Sequence, residues 1–133
     1  MEAVAGAPPT TPSKEDLSGI GRGLQLAMAI ATWELLGAGE RAGLDRDRLL
    51  AIVNASSGRN EWTRGGYPGP VGISIAGAAA VIGEAVATGR RQRVPVSLMA
   101  LAASIAALGT AMRPAGADLS ALRDVYRAWS REG

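Results

Sequence analysis

From Ser13 onward the chain takes up a regular pattern. Apolar residues recur as Leu17, Ile20, Leu24, Met28, Ala31 and Leu35, steps of three and four that hold one face of an α-helix in line. Ser13 suits an N-cap, and Glu15 and Asp16 set negative charge against the positive end of the helix dipole. The pattern predicts one long helix over about Lys14 to Ala42. Between Leu24 and Ala38 the polar interruptions are Gln25, Thr32 and Glu34, which predicts burial on several sides, in a core or at a subunit interface. The stretch is too short for a membrane span and carries Glu34, so no membrane partner is expected.

Gly43 is placed to end this helix and Asp45 to cap the next, in which Leu49, Leu50 and Val53 give a short amphipathic helix ending near Asn54. Ala55 to Pro70 is rich in Gly, Ser and Pro yet holds Trp62 and Tyr67, the mark of a packed or functional loop. A helical pattern returns from Val71 to Thr88, with Glu84 its single charge, and Gly89 to Arg93 reads as a solvated turn. Pro95 to Met112 is an uncharged helix stopped by Arg113-Pro114, and Asp118 caps a last helix whose apolar face is Leu119, Leu122, Val125, Tyr126 and Trp129. No strand alternation of useful length occurs. The reading is an all-α domain of five helices over residues 13–133, preceded by a Pro-rich arm, residues 1–12, expected to be flexible. With no basic start or continuous apolar stretch in that arm, a signal peptide is not read and a cytoplasmic protein is expected.

Three long stretches with at most one charge each in 133 residues exceed what one small monomer can surround, so a homodimer is expected to cover them. Composition narrows the chemistry. There is no cysteine and no histidine, which removes disulfides, thiolate zinc sites and the usual neutral-pH base; no metal and no cofactor are expected. Thirteen of the fourteen basic residues are arginine, Lys14 is the sole lysine, and the net charge is +2. No basic stripe is interleaved with aromatics, so no nucleic-acid partner is expected.

Catalysis, if present, must rest on carboxylates, amides, hydroxyls or arginine. Glu34 is the one charge between Arg22 and Glu40; unpaired in a dry core it would have its carboxyl pushed up toward neutrality, as a general acid or base needs. The stronger reading is a structural glutamate, with Arg41 two turns on along the same face. Glu84 has Ser74, Gly77 and Ala80 on its own face, small residues that leave either a recess beside the carboxylate or a close helix crossing. In the loop, Asn54, Ser56, Ser57, Arg59, Asn60 and Glu61 stand with Trp62 and Tyr67 as binding groups or as turn-formers. Gly19-x-Gly21-x-Gly23 lacks the preceding strand and the spacing of a dinucleotide fingerprint, so helix packing accounts for it better.

The run Glu40-Arg41-Ala42-Gly43-Leu44-Asp45, then Leu49-Leu50, then Asn54-Ala55-Ser56-Ser57-Gly58-Arg59 resembles the C-terminal helical domain of the β-hydroxyacid (3-hydroxyisobutyrate) dehydrogenases. Val71-Gly72 and Asp118 to Leu122 are similar to later parts of that domain, and the likeness covers about residues 14–130. It implies an intertwined homodimer, with the Asn-x-Ser-Ser-Gly-Arg loop near the substrate cleft at a domain junction. The family's Rossmann domain is not read in this sequence. Its catalytic lysine and asparagine fall on Ser18 and Arg22, or in a second register on Gln25 and Ala29, and its Lys-Asp pair falls on Ala78-Ala79.

Hydride transfer by the chain alone is therefore excluded. The main expectation is a repurposed domain: a cofactor-independent cyclase or isomerase, of the kind used in secondary metabolism, with an apolar small-molecule substrate in a cavity lined by Trp33 and Trp62 and with Glu84, Glu34 and Glu61 as catalytic residues. The binding residues would be Trp33, Trp62, Tyr67, Asn54, Ser57 and Arg59. The alternatives are a non-catalytic dimerisation or ligand-binding module, and the helical subunit of a split NAD(P)-dependent dehydrogenase.

Overall fold

A computed structural model of the chain describes residues 11, 13–66, 70–114 and 116–126. The bulk of the proposed arm and Trp129 lie outside these residues. Helix α1 spans Lys14–Arg41, roughly 42 Å at the α-helical rise. Gly43 follows at φ 99°, a left-handed turn that glycine makes without a Cβ penalty. The N–H groups of Gly43 and Leu44 bond back to the carbonyls of Glu40 and Gly39, and the chain reverses. Asp45 then caps α2, Arg46–Asn54, its carboxylate accepting from the Arg48 N–H at 3.0 Å.

Helices α3, Ile75–Arg91, and α4, Ser97–Met112, complete the framework. A 3-10 turn, Leu119–Ala121, runs into helical residues 122–126. Among the described residues there is no strand beyond an isolated bridge between Ser74 and Asp118. The all-α architecture read from the periodicity is thus observed.

α3 begins four residues later than the pattern predicts, because Gly72 turns at φ 88°, outside the helical region; the Val71 and Gly72 N–H groups are held by the Asp118 carboxylate at 2.9 and 2.8 Å. Around the bridge, Ile75 N–H donates to Ala117 and Leu119 N–H to Ile73, at 2.9 and 2.8 Å. Ser74 caps the helix by accepting from Gly77 N–H at 2.9 Å. The far end continues through Arg90 and Arg91 before Arg93 turns at φ 62°, so the basic connector is partly helical.

α3 lies in the middle, with α1 and α4 packed against it. Leu26, Ile30 and Trp33 of α1 meet Ile75, Ala78 and Ile82 of α3, Ala106 of α4, and Leu119, Leu122 and Val125 of the closing segment in one buried cluster. The α1–α3 crossing is close at Gly23, where a Cβ would stand 2.7 Å from that of Ala85. α2 seats Leu49 over Gly39 of α1 in the same manner.

One face of α4 stays uncovered. Leu98 is 84 % exposed, and Leu101, Leu108 and Met112 accompany it. Among the described residues no helix is long and apolar enough to cross a membrane.

Candidate functional site

The loop after α2 returns to α1 and is fastened there by polar side chains. Asn60-x-x-Thr63 has the spacing of a capping box, and it behaves as one: Thr63 Oγ1 accepts from Asn60 N–H at 2.9 Å, while Asn60 Oδ1 accepts from Trp62 N–H at 2.9 Å. Thr63 is 4 % exposed. Its hydroxyl donates to Asn54 Oδ1 at 2.7 Å, and Asn54 Nδ2 donates to the Thr63 carbonyl at 2.8 Å. These bonds wind residues Trp62–Gly66 into a π-helical turn.

The Trp62 indole N–H donates to the Gln25 carbonyl of α1 at 2.9 Å, and Asn60 Nδ2 donates to Thr32 Oγ1 at 3.2 Å. Replacing Thr63 by Val keeps the shape but leaves Asn54 Oδ1 and the Asn60 N–H without partners. We expect a loss of about 1–2 kcal/mol, read by urea unfolding, with a broadened Trp62 environment in fluorescence.

Between this loop, α1 and α2 lies a groove of about 440 Å³. Met28, Leu35, Leu36, Leu49 and Val53 form its walls, and Thr32, Ser56, Asn60 and Thr63 bring it uncharged polar groups. Of the loop residues singled out in the sequence, Ser56 and Asn60 line this groove, whereas Asn54, Ser57, Arg59 and Glu61 do not. Trp33 and Trp62 are 3 % and 8 % exposed and pack on each other, ring centroids 6.5 Å apart and tilted by 59°. They are core partners, which corrects the expectation of a Trp-lined chamber. The Trp33 ring also carries the Arg123 guanidinium at 5.6 Å, a cation–π contact, and its buried indole N–H finds no acceptor among the described residues.

Glu34 is exposed and accepts from the Tyr126 hydroxyl at 3.0 Å, so the dry, unpaired setting expected for it is not observed. Burial, and then the neighbouring Glu34 carboxylate, push the Tyr126 phenol up. Glu84 is exposed on α3. Ala80, the small residue one turn before it, is exposed as well, so the carboxylate stands in solvent and not in a recess. Glu61, Ser57 and Arg59 are exposed, and Arg59 folds back to donate to the Ser56 carbonyl at 3.2 Å. Asn54 is half-buried in the loop network, and Tyr67 lies outside the described residues.

Two residues that organise this region do not stand out as binding groups in the sequence. Thr32 shows there only as an interruption in an apolar helix, although a hydroxyl on a buried face usually has a partner. Thr63 is signalled by its spacing from Asn60.

Among the described residues no group of His, Cys, Asp or Glu could hold a metal ion. A long helix, a short one, and an amide-rich loop strapped back onto the first define an all-helical unit, with no strand–turn–helix element among the described residues. A family profile described as NAD-binding of NADP-dependent 3-hydroxyisobutyrate dehydrogenase matches residues 24–126, and the chain belongs to that family. No curated protein matches it.

This membership overturns the expectation of a cofactor-free cyclase or isomerase, because it places the chain in a nicotinamide-dependent lineage. The described residues do not themselves fit the dinucleotide. Gly19, Gly21 and Gly23 sit in the body of α1, the space above Gly23 is filled by Ala85, and no charged residue lines the groove. A pyrophosphate is ordinarily held at a glycine-rich turn between strand and helix. The positions on which the family's lysine and asparagine fall hold exposed Ser18 and Arg22, or half-buried Gln25 and fully buried Ala29. Ala78, on which the lysine of its second pair falls, is fully buried.

Proposed function

We propose that this chain is the helical half of an NAD(P)-dependent dehydrogenase of the 3-hydroxyisobutyrate type, completed by a nucleotide-binding unit carried on another segment or another chain. The family match over residues 24–126 carries this reading. It is supported by the absence of a strand among the described residues, which leaves the dinucleotide to be held elsewhere. In this reading the chain forms one wall of the junction between the two units, with the Asn54–Thr63 loop rigid at its edge. The family's lysine falls on Ser18 or Gln25 here, and the chain's sole lysine, Lys14, is exposed at the start of α1, so in this reading proton transfer does not rest on a lysine at the family's position.

Hydride chemistry would come from a nucleotide held on the completing unit, and this half would contribute an apolar wall that excludes water. Twofold association belongs to the same proposal. It is supported by the exposed face of α4, where Leu98, Leu101, Leu108 and Met112 lie on a helix without a single charge, unusual for a surface facing water.

The test is isolation of the tagged protein from cells that make it. We expect a unit with a glycine-rich βαβ sequence to accompany it, a mass corresponding to two helical halves by light scattering, and NADP+ reduction with a 3-hydroxy acid. The helical chain alone should bind neither NAD+ nor NADP+ by calorimetry. A chain that is recovered by itself, and that supports no turnover in the extract fraction holding it, overturns the reading.

A further inference from the structure

The groove between α1 and α2 has a volume of about 440 Å³, within the roughly 300–1,000 Å³ typical of small-molecule sites. Its polar groups can be followed bond by bond. Both N–H bonds of the Asn60 amide are used, on Thr32 Oγ1 at 3.2 Å and on the Gly58 carbonyl at 3.1 Å, and its oxygen accepts from Trp62. Ser56 Oγ donates to the Val53 carbonyl at 2.7 Å and accepts from Gly58 N–H at 3.1 Å. Thr63 spends its proton within the loop.

Thr32 differs from these. Its oxygen accepts from Asn60, and its own hydroxyl proton is donated to no protein group among the described residues. Accepting one bond makes a hydroxyl a better donor of the next. The groove thus offers a hydrocarbon wall, rimmed by Leu35 at 72 % exposure, one spare hydroxyl donor at Thr32, and no charge.

We propose that this groove binds a neutral, mostly hydrocarbon small molecule bearing one carbonyl oxygen, which accepts from the Thr32 hydroxyl while the chain of the ligand lies along Met28, Leu35 and Val53. A carboxylate is disfavoured, because no cation lines the groove to meet it. The site stands independently of the dehydrogenase reading. It needs neither a nucleotide nor a second unit, so the two can fail separately.

The experiment uses 2-octanone and octanoate as probes, followed by methyl NMR of Met28, Leu35 and Val53 in the purified chain. Saturable shifts with 2-octanone are expected, with octanoate at least about tenfold weaker. Thr32→Val should weaken 2-octanone about fivefold through loss of one hydrogen bond. Because that variant also removes an acceptor from Asn60, Thr32→Ser serves as its control and should bind as the parent does. Leu35→Gln should weaken the ketone without disturbing the fold.

The proposal is overturned by no saturable shift in the parent, by octanoate binding as well as the ketone, or by Thr32→Val binding unchanged. Methyl shifts that follow protein concentration and ignore the ketone would assign the groove to a second copy, and would overturn it as well.

Discussion

Gly23→Leu removes most of the protein's stability margin, while Gly21→Ala, two residues earlier on the same helix, increases it. A Cβ at position 23 would meet the Cβ of Ala85 at 2.7 Å and the Met99 side chain at 3.5 Å. The Ala85 methyl group has no torsion by which to retreat, so α1 and α3 must move apart. Overpacking on this scale, together with the looser core left where the helices separate, costs about 3–5 kcal/mol. At Gly21 the space around the would-be Cβ is open, and replacing a mid-helix glycine by alanine returns about 0.5–1 kcal/mol of backbone entropy. Urea unfolding of the two variants beside the parent gives the signs. Equal tolerance at both positions would mean that the helices do not cross where the structure has them cross.

Asp118→Ala is the second large effect, with an expected loss of about 2–3 kcal/mol from three charge-assisted backbone bonds. The carboxylate accepts from Val71, Gly72 and Ser120 N–H at 2.9, 2.8 and 2.9 Å. It thereby pins the start of the α3 region to the closing segment across the sequence. Burial by itself would push this carboxyl up, but the hydrogen bonds from Val71, Ser120 and Gly72 together outweigh it and bring it from 3.8 to about 2.

The folded-state value lies below the unfolded one. The contribution is therefore fully present above about pH 4 to 5 and is lost as the pH falls toward 2. Solvent screening at a part-exposed group trims the pH-dependent share to about 1–2 kcal/mol. Thermal melts of the parent and of Asp118→Asn should separate at pH 6 and converge by pH 2. A gap that stays constant over that range would show that the carboxylate's charge contributes nothing.

The two variants probe different kinds of information. Gly19-x-Gly21-x-Gly23 is legible in the sequence as a feature of a helix, because no strand precedes it. That only the third glycine is a contact requires the position of Ala85, 62 residues away in the chain. Asp118 is legible as a cap, and it does accept from Ser120. Its hold on Val71 and Gly72 is not, since those residues carry an apolar helical pattern that their backbone does not follow.

The glutamates show the same division. A lone charge on an apolar helix signals that something is unusual, but burial and partner decide what. Glu34 lies at the surface with Tyr126 as its hydrogen-bond donor. Composition places tryptophan in the core, and Trp33 and Trp62 are there; the chamber they were expected to line is not. Two large rings 6.5 Å apart fill the space that a chamber would need.

By itself, the order of apolar and polar residues determined the helices, their caps at Asp45 and Asp118, and the family to which the chain belongs, because helical period and capping are properties of neighbours three and four apart. Only the tertiary structure decided where α3 begins, which glycine is a contact, and that the open groove lies beside Thr32 and Leu35 while the tryptophans are sealed behind it. Those outcomes depend on distances between residues far apart in the chain, which local periodicity does not encode.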